Sequence, residues 1–259
     1  MDFATWAVDA AHPVFATAIH DGHELRPEVA TAMVLDEATR MREEDPHTGE
    51  LASRVGSSVV VERSRFEIDL NRERSEAVYV RPEDAWGLNL WDGELDQDIA
   101  DRSRRLHDDF YDRLAEVLDG VVARHGGFVL YDVHSYNHRR QGPDGVPDDP
   151  TDSPLVNLGT GSLPPRWRPV ADAFIASIRS ADLQGEAIDA RENVRFRGRQ
   201  LAAFVHDRYG EKGCALAIEF KKVFMDEWSG AVDRPLLAAL GGALAGTVDV
   251  VWKVHQQCR

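Results

Sequence analysis

Short apolar runs punctuate this chain, and amphipathic stretches long enough to form helices separate them. The runs Val14–Ile19, Ser58–Val61, Phe128–Tyr131, Leu155–Asn157 and Ala215–Phe220 read as strands. The clearest helix extends from about Asp98 to His125. Leu106, Phe110, Leu114, Leu118 and Val122 recur there at four-residue spacing, with charges between them and Gly126-Gly127 at the stop. Further helices are expected over Arg166–Ser180, Gln200–Tyr209 and Pro235–Leu244. Strands alternating with helices of this length predict an α/β fold, with a mainly parallel mixed sheet flanked by helices. No repeat and no long low-complexity linker divides the chain, so residues 1–259 are expected to form a single domain. The Pro- and Asp-rich segment Gln141–Pro154 reads as a surface loop that follows a histidine-bearing strand end.

Charge narrows the partners. With 45 acidic and 30 basic residues the net charge is −15, which argues against nucleic acid. A 43% hydrophobic and 29% charged composition supports a packed core. Cys214 and Cys258 are too few for a disulfide framework or a Cys-rich zinc site and fit a reducing cytoplasm. The amino-terminal MDFATWAVDAAHPVF carries Asp2 and Asp9 instead of a positive leader. The 13-residue stretch LLAALGGALAGTV is too short to span a bilayer and is expected to be a buried helix. No membrane partner is expected, and the oligomeric state is left open.

Several apolar runs lead into ionisable residues. Val14–Ile19 is followed by His20-Asp21-Gly22-His23, Phe128–Tyr131 by Asp132-Val133-His134-Ser135, and Ala215–Phe220 contains Glu219. In a parallel sheet such strand ends share one edge, so residues remote in sequence converge there. Two imidazoles and a carboxylate form a catalytic zinc set with one position left for water. A lone histidine at a strand end is more often merely hydrogen-bonded. Glu219 within an apolar strand is costly unless it is functional or paired, and Lys221 and Lys222 are the candidate partners.

Two segments have double readings. In Arg65–Arg72, strand alternation would place Phe66, Ile68 and Leu70 on one face and Arg65, Glu67, Asp69 and Asn71 on the other. Arg65 and Arg72 could then grip an anionic substrate, or the segment could be a charged sheet edge. Asp45, followed by Pro46, reads either as a helix N-cap or as the acid that completes a metal site.

Taken in order, these motifs resemble the N-formylglutamate amidohydrolase family, related in fold to the zinc carboxypeptidases and aspartoacylases. The likeness runs from His20 to Glu227. It comprises Ile19-His20-Asp21-Gly22, Ser64-Arg65-Phe66-Glu67-Ile68-Asp69-Leu70-Asn71-Arg72 and Asp132-Val133-His134-Ser135. Asn157-Leu158-Gly159-Thr160, Asn193-Val194-Arg195-Phe196-Arg197-Gly198, Ile218-Glu219 and Met225-Asp226-Glu227 complete it. The resemblance implies a zinc-carboxypeptidase-like (phosphorylase/hydrolase-like) fold and one Zn2+ per chain, other divalent ions being possible.

It further implies that His20 and His134 bind the metal and that Asp45 is the third ligand. His23, three residues after His20, is the rival. Asn71 and Arg72, with Arg65 and Arg197, would bind the carboxylate of a small anionic substrate. Glu219 would be the general base for zinc-activated water in hydrolysis of N-formyl-L-glutamate to formate and glutamate. Ile19 and Asp21 stand where the family has proline and a small residue. The His23–Arg26 and Trp86–Trp91 stretches also depart from the histidine-degrading members. Another N-acyl amino acid, a small peptide, or binding without turnover are the alternatives.

Overall fold

In the computed structural model, which describes residues 3–9 and 11–259, the apolar runs assemble into one seven-stranded sheet. The elements are, in chain order, β1 (Ala4–Ala7), β2 (Val14–Ala18), α1 (Pro27–Ala32), α2 (Glu37–Glu43), α3 (Thr48–Ala52) and β3 (Ser57–Val61). They continue with α4 (Gln97–His125), β4 (Phe128–Tyr136), β5 (Val156–Gly159), α5 (Arg168–Arg179), β6 (Asp182–Leu183), β7 (Glu186–Ala187) and β8 (Ala190–Glu192). The chain ends with α6 (Gln200–Tyr209), β9 (Gly213–Lys221), α7 (Arg234–Ala245) and α8 (Val248–Gln257).

The strand order is β1-β3-β2-β4-β9-β5-β8. The central strands β3, β2, β4 and β9 run parallel. β1 joins β3, and β5 joins β9, in the antiparallel sense, which makes the sheet mixed. Strands β6 and β7 form a separate two-stranded ribbon.

Period-two alternation divides the core between the two faces of the sheet. Phe15, Phe128, Leu130 and Ala215 pack with Leu114 and Leu118 of α4 and Leu201 and Val205 of α6. Their neighbours Ala16, Val129, Tyr131, Leu216 and Ile218 pack with Phe174 of α5, Leu240 and Leu244 of α7 and Val251 of α8. Helix α4 starts where the Asp96 side chain accepts the Asp98 N–H and stops at Gly126, whose φ of 78° suits glycine. The carboxyl-terminal stretch 234–257 is long and apolar enough to cross a membrane by composition. It is divided at Gly246 and Thr247, and Leu240, Leu244 and Val251 are fully buried against the sheet.

Two expectations need correction. Strand β4 does not end at Tyr131 but runs five residues further, so Asp132 and His134 lie within it. Asp132 Oδ1 and both ring nitrogens of His134 find partners inside the fold, which removes the reason to end the strand at the first charge. Residues 65–72 form consecutive turns instead of a strand. Ser64 accounts for this: its carbonyl accepts the N–H groups of Glu67 and Ile68, and its Oγ accepts that of Phe66. Phe66, Ile68 and Leu70 nonetheless enter the core, while Glu67 and Asp69 are buried among polar partners.

Candidate metal and hydrolytic site

Parallel pairing of β2, β4 and β9 brings their carboxyl ends to one edge. His20 follows β2 by two residues, and His134 and Glu219 occupy paired positions on β4 and β9. Alternation places Asp132 and His134 on the same face as Phe128 and Leu130, and Glu219 on the same face as Ala215. The site therefore opens on the side covered by α4 and α6.

His20 Nδ1 lies 3.4 Å, and His134 Nδ1 3.1 Å, from Asp45 Oδ2. The opposite ring nitrogens are engaged by other carboxylates. His20 Nε2 is 2.7 Å from Asp69 Oδ1, and His134 Nε2 is 3.1 Å from Asp132 Oδ1. The donor atoms of His20, Asp45 and His134 all lie within 4.8 Å of one another, and the three residues are 2%, 3% and 2% exposed. His20 Nδ1 is buried without a hydrogen-bond partner among the described residues. An orphaned ring nitrogen aimed at a buried carboxylate, with the far side of the ring fixed by a second carboxylate, fits a divalent cation. Asp45 is not the N-cap of α3, since His47 precedes the first turn of that helix.

The charges are strongly coupled. Burial alone would raise the Asp45 carboxyl, but the His134 hydrogen bond and the nearby His20 imidazole outweigh it and hold the group well below the ordinary carboxylate range. Asp69 behaves likewise, burial being overcome by the Arg65 charge and by His20. Arg65 Nη2 donates to Asp69 Oδ2 at 2.9 Å, and the Tyr79 hydroxyl donates to the same oxygen. The Asn71 N–H donates to Asp69 Oδ1 at 2.8 Å. Burial would depress His134, yet Asp132 and Asp45 raise it well above its usual value.

Glu219 has no salt bridge among the described residues, and burial pushes its carboxyl up to about 8. The ion-pair reading with lysine fails. Lys222 instead donates to the backbone carbonyls of Arg42 and Glu44, at 2.7 and 2.6 Å.

A cleft of about 330 Å³ lies over the cluster, and its lining includes Glu219, Arg65, Asn71 and Arg197. The Arg197 guanidinium is exposed and has no partner among the described residues. Two expected positions do not reach this cleft. Arg72 donates to the Asp84 carbonyl at 2.7 Å and lies over the Tyr79 ring. His23, the rival ligand, is bound to the buried Glu44 and lies 3.1 Å from an Arg40 nitrogen, outside the cluster. The turn after β2 directs it to α2 instead of to the sheet edge.

Sequence reasoning missed Asp69 and Asp132 as partners of the histidines, although both stood in quoted motifs. The signal for Asp132 was its place two residues before His134, on the same face of a strand. Arg140, Arg195 and Arg199 also line the cleft and were not singled out. The period-two recurrence of Arg195, Arg197 and Arg199 was the available cue for two of them.

A family model described as N-formylglutamate amidohydrolase matches residues 12–225. The chain belongs to the N-formylglutamate amidohydrolase family. Membership makes it a hydrolytic amidase. The N-formylglutamate amidohydrolase from Ralstonia eutropha JMP134 shares this family's fold with the chain at a TM-score of 0.75 and 18% identity, over 98% of this chain and 99% of that one. A gene product from Agrobacterium tumefaciens aligns at a TM-score of 0.69 and 17% identity, over 98% and 95%. No curated protein matches the chain.

Proposed function

We propose that this amidase hydrolyses N-acyl amino acids, N-formyl-L-glutamate foremost, using one zinc ion held by His20, Asp45 and His134. The observation that carries the reading is the pair of imidazole Nδ1 atoms facing one Asp45 oxygen, with Glu219 paired in register beside His134. Zinc bound there would supply Lewis acidity, polarising the acyl oxygen and acidifying water. Glu219, unpaired and on the cleft wall, takes a proton from the attacking water and returns it to the departing amine. Water's oxygen joins the acyl carbon, the C–N bond breaks, and formate and glutamate leave.

Arg65 and Asn71 frame the cleft, and the unpartnered Arg197 offers a two-pronged donor to a substrate carboxylate. Arg140 and Arg195, which also line the cleft, are paired with Glu43 and Asp148, so among the described residues Arg197 and Arg199 supply the uncompensated positive charge there, which favours a small anionic substrate. Nucleic acid and membrane play no part in this reading. Cys214 and Cys258 are free thiols, in keeping with a cytoplasmic setting.

The test is metal analysis of purified protein combined with hydrolysis assays on N-formyl and N-acetyl amino acids and dipeptides. One zinc per chain with release of formate from N-formylglutamate is expected. Turnover of dipeptides alone would move the reading to a peptidase. Binding of N-acyl amino acids by zinc-loaded protein without turnover would leave only a carboxylate binder.

A further inference from the structure

One member of the metal cluster lies within a strand, one just past a strand end, and the third on a helix–helix connection. His134 lies within β4 and His20 two residues past β2, whereas Asp45 sits in the connection between α2 and α3. A ligand on a loop is placed less accurately than one on a strand unless neighbouring groups fix it. This connection is also strained, because His47 adopts a φ of 70°, which a side-chain-bearing residue keeps only when its surroundings impose it.

Side chains from two different strand ends grip the connection on either side of Asp45. On the amino-terminal side, Lys222 follows β9 directly and donates from Nζ to the carbonyls of Arg42 and Glu44, the latter being the residue before Asp45. Lys222 is 1% exposed and forms no salt bridge among the described residues. A buried ammonium without a carboxylate carries a desolvation cost, so a neutral side chain would be favoured here unless these donations serve a purpose.

On the carboxyl-terminal side, Asp21 Oδ1 accepts the Gly49 N–H at 2.8 Å and lies 3.5 Å from Thr48 Oγ1. A Cβ at Gly49 would lie 2.8 Å from Asp21 Oδ2, so this approach requires glycine. Thr48 Oγ1 in turn donates to the Asp45 carbonyl at 2.7 Å, and the Asp45 N–H donates to the His20 carbonyl at 2.9 Å.

We propose that Lys222 and Asp21 are positioning residues that hold Asp45 in the metal cluster. Lys222 ties Asp45 to the strand that bears Glu219, and Asp21 ties it to the segment that bears His20. The inference rests on the metal-hydrolase reading above.

The experiment strips metal from the full-length protein and measures zinc affinity by competition with a chromogenic chelator. Lys222→Met and Asp21→Ala are each expected to weaken zinc binding about 10- to 100-fold, the range for loss of a group that supports a ligand. Asp21→Asn keeps an acceptor for Gly49 and is expected to stay near wild type. Activity of Lys222→Met should recover when zinc is raised to saturate the weakened site, which a lesion in chemistry or folding would not permit. Should Lys222→Met fail to fold, Asp21→Ala and Asp21→Asn carry the same comparison. Wild-type affinity in both Lys222→Met and Asp21→Ala overturns the inference alone. Absence of zinc binding by the wild-type protein overturns the metal reading as well.

Discussion

The base proposed above, Glu219, lies half-buried on the cleft wall, where burial raises its affinity for a proton. Glu219→Gln keeps size and loses basicity, so kcat should fall by about 10²- to 10⁴-fold while zinc content is retained. Kinetics and metal analysis on the same preparation check this. With its folded value near 8 and its ordinary value at 4.5, Glu219 in the metal-free fold binds a proton that the unfolded chain has already released. It therefore contributes stability below pH 4.5 that is lost as pH rises toward 8. A cation at the neighbouring cluster favours the ionised carboxyl, so zinc loading at pH 7 should expel a proton from Glu219. Calorimetry in buffers of differing ionisation enthalpy should find less proton release in Glu219→Gln than in wild type. Arg197 is the proposed donor to the substrate carboxylate. Arg197→Ala should raise KM for N-formylglutamate about tenfold or more and leave kcat nearly unchanged, as removal of a charged hydrogen bond made equally in ground and transition states would. A matching loss in kcat would refute that assignment.

At the scale of elements, helix α6 shows how a buried imidazole fixes a helix to the sheet. His206 Nε2 accepts the Ala215 N–H at 3.0 Å, which leaves Nδ1 to donate to Ser162 Oγ at 2.9 Å. Burial lowers this imidazole to about 4. The unfolded chain takes up its proton first as pH falls, so stability present above pH 6.5 is lost between about 6.5 and 4. Urea titrations at pH 7 and 4.5 should show a smaller acid loss in His206→Gln, which still offers Ala215 an acceptor. That α6 spans Gln200–Tyr209 was legible from its apolar spacing, as were α4 and strands β2, β3, β4, β5 and β9. Helices α1, α2 and α3 were not, because each has seven residues or fewer and too little length to show a period. Strand β1 and the β6–β7 ribbon escaped for the same reason. The turns at 65–72 were misread because the apolar alternation of Phe66, Ile68 and Leu70 is also what a strand would show, whereas the turns anchored by Ser64 bury the intervening Glu67 and Asp69 as well.

For the whole molecule, the site was legible where ordered motifs name its residues and less so where side-chain partners are chosen by packing. His20, Asp45 and His134 meet as expected, but nothing in residue order shows that Arg72 turns to Asp84 or that His23 is taken by Glu44. Those outcomes depend on which buried donor has an acceptor nearby, and that is settled by tertiary packing. Metal removal should act on the entire fold, since the cluster joins β2, β4 and the α2–α3 connection. Saturation at 1,000 times the dissociation constant stabilises by about 4 kcal/mol, so chelation should lower Tm by several degrees in a concentration-dependent way. Differential scanning calorimetry with and without zinc checks it, and identical Tm values would count against a resident ion.

The in-register pairing of His134 with Glu219 also limits how relatives of this chain can diverge. One residue inserted into β9 ahead of Glu219 would turn the carboxyl to the opposite face, into the core that holds Phe174 and Leu240. Length variation in a lineage is therefore expected to collect in the 137–154 connection at the cleft rim, while the two central strands keep their residue count.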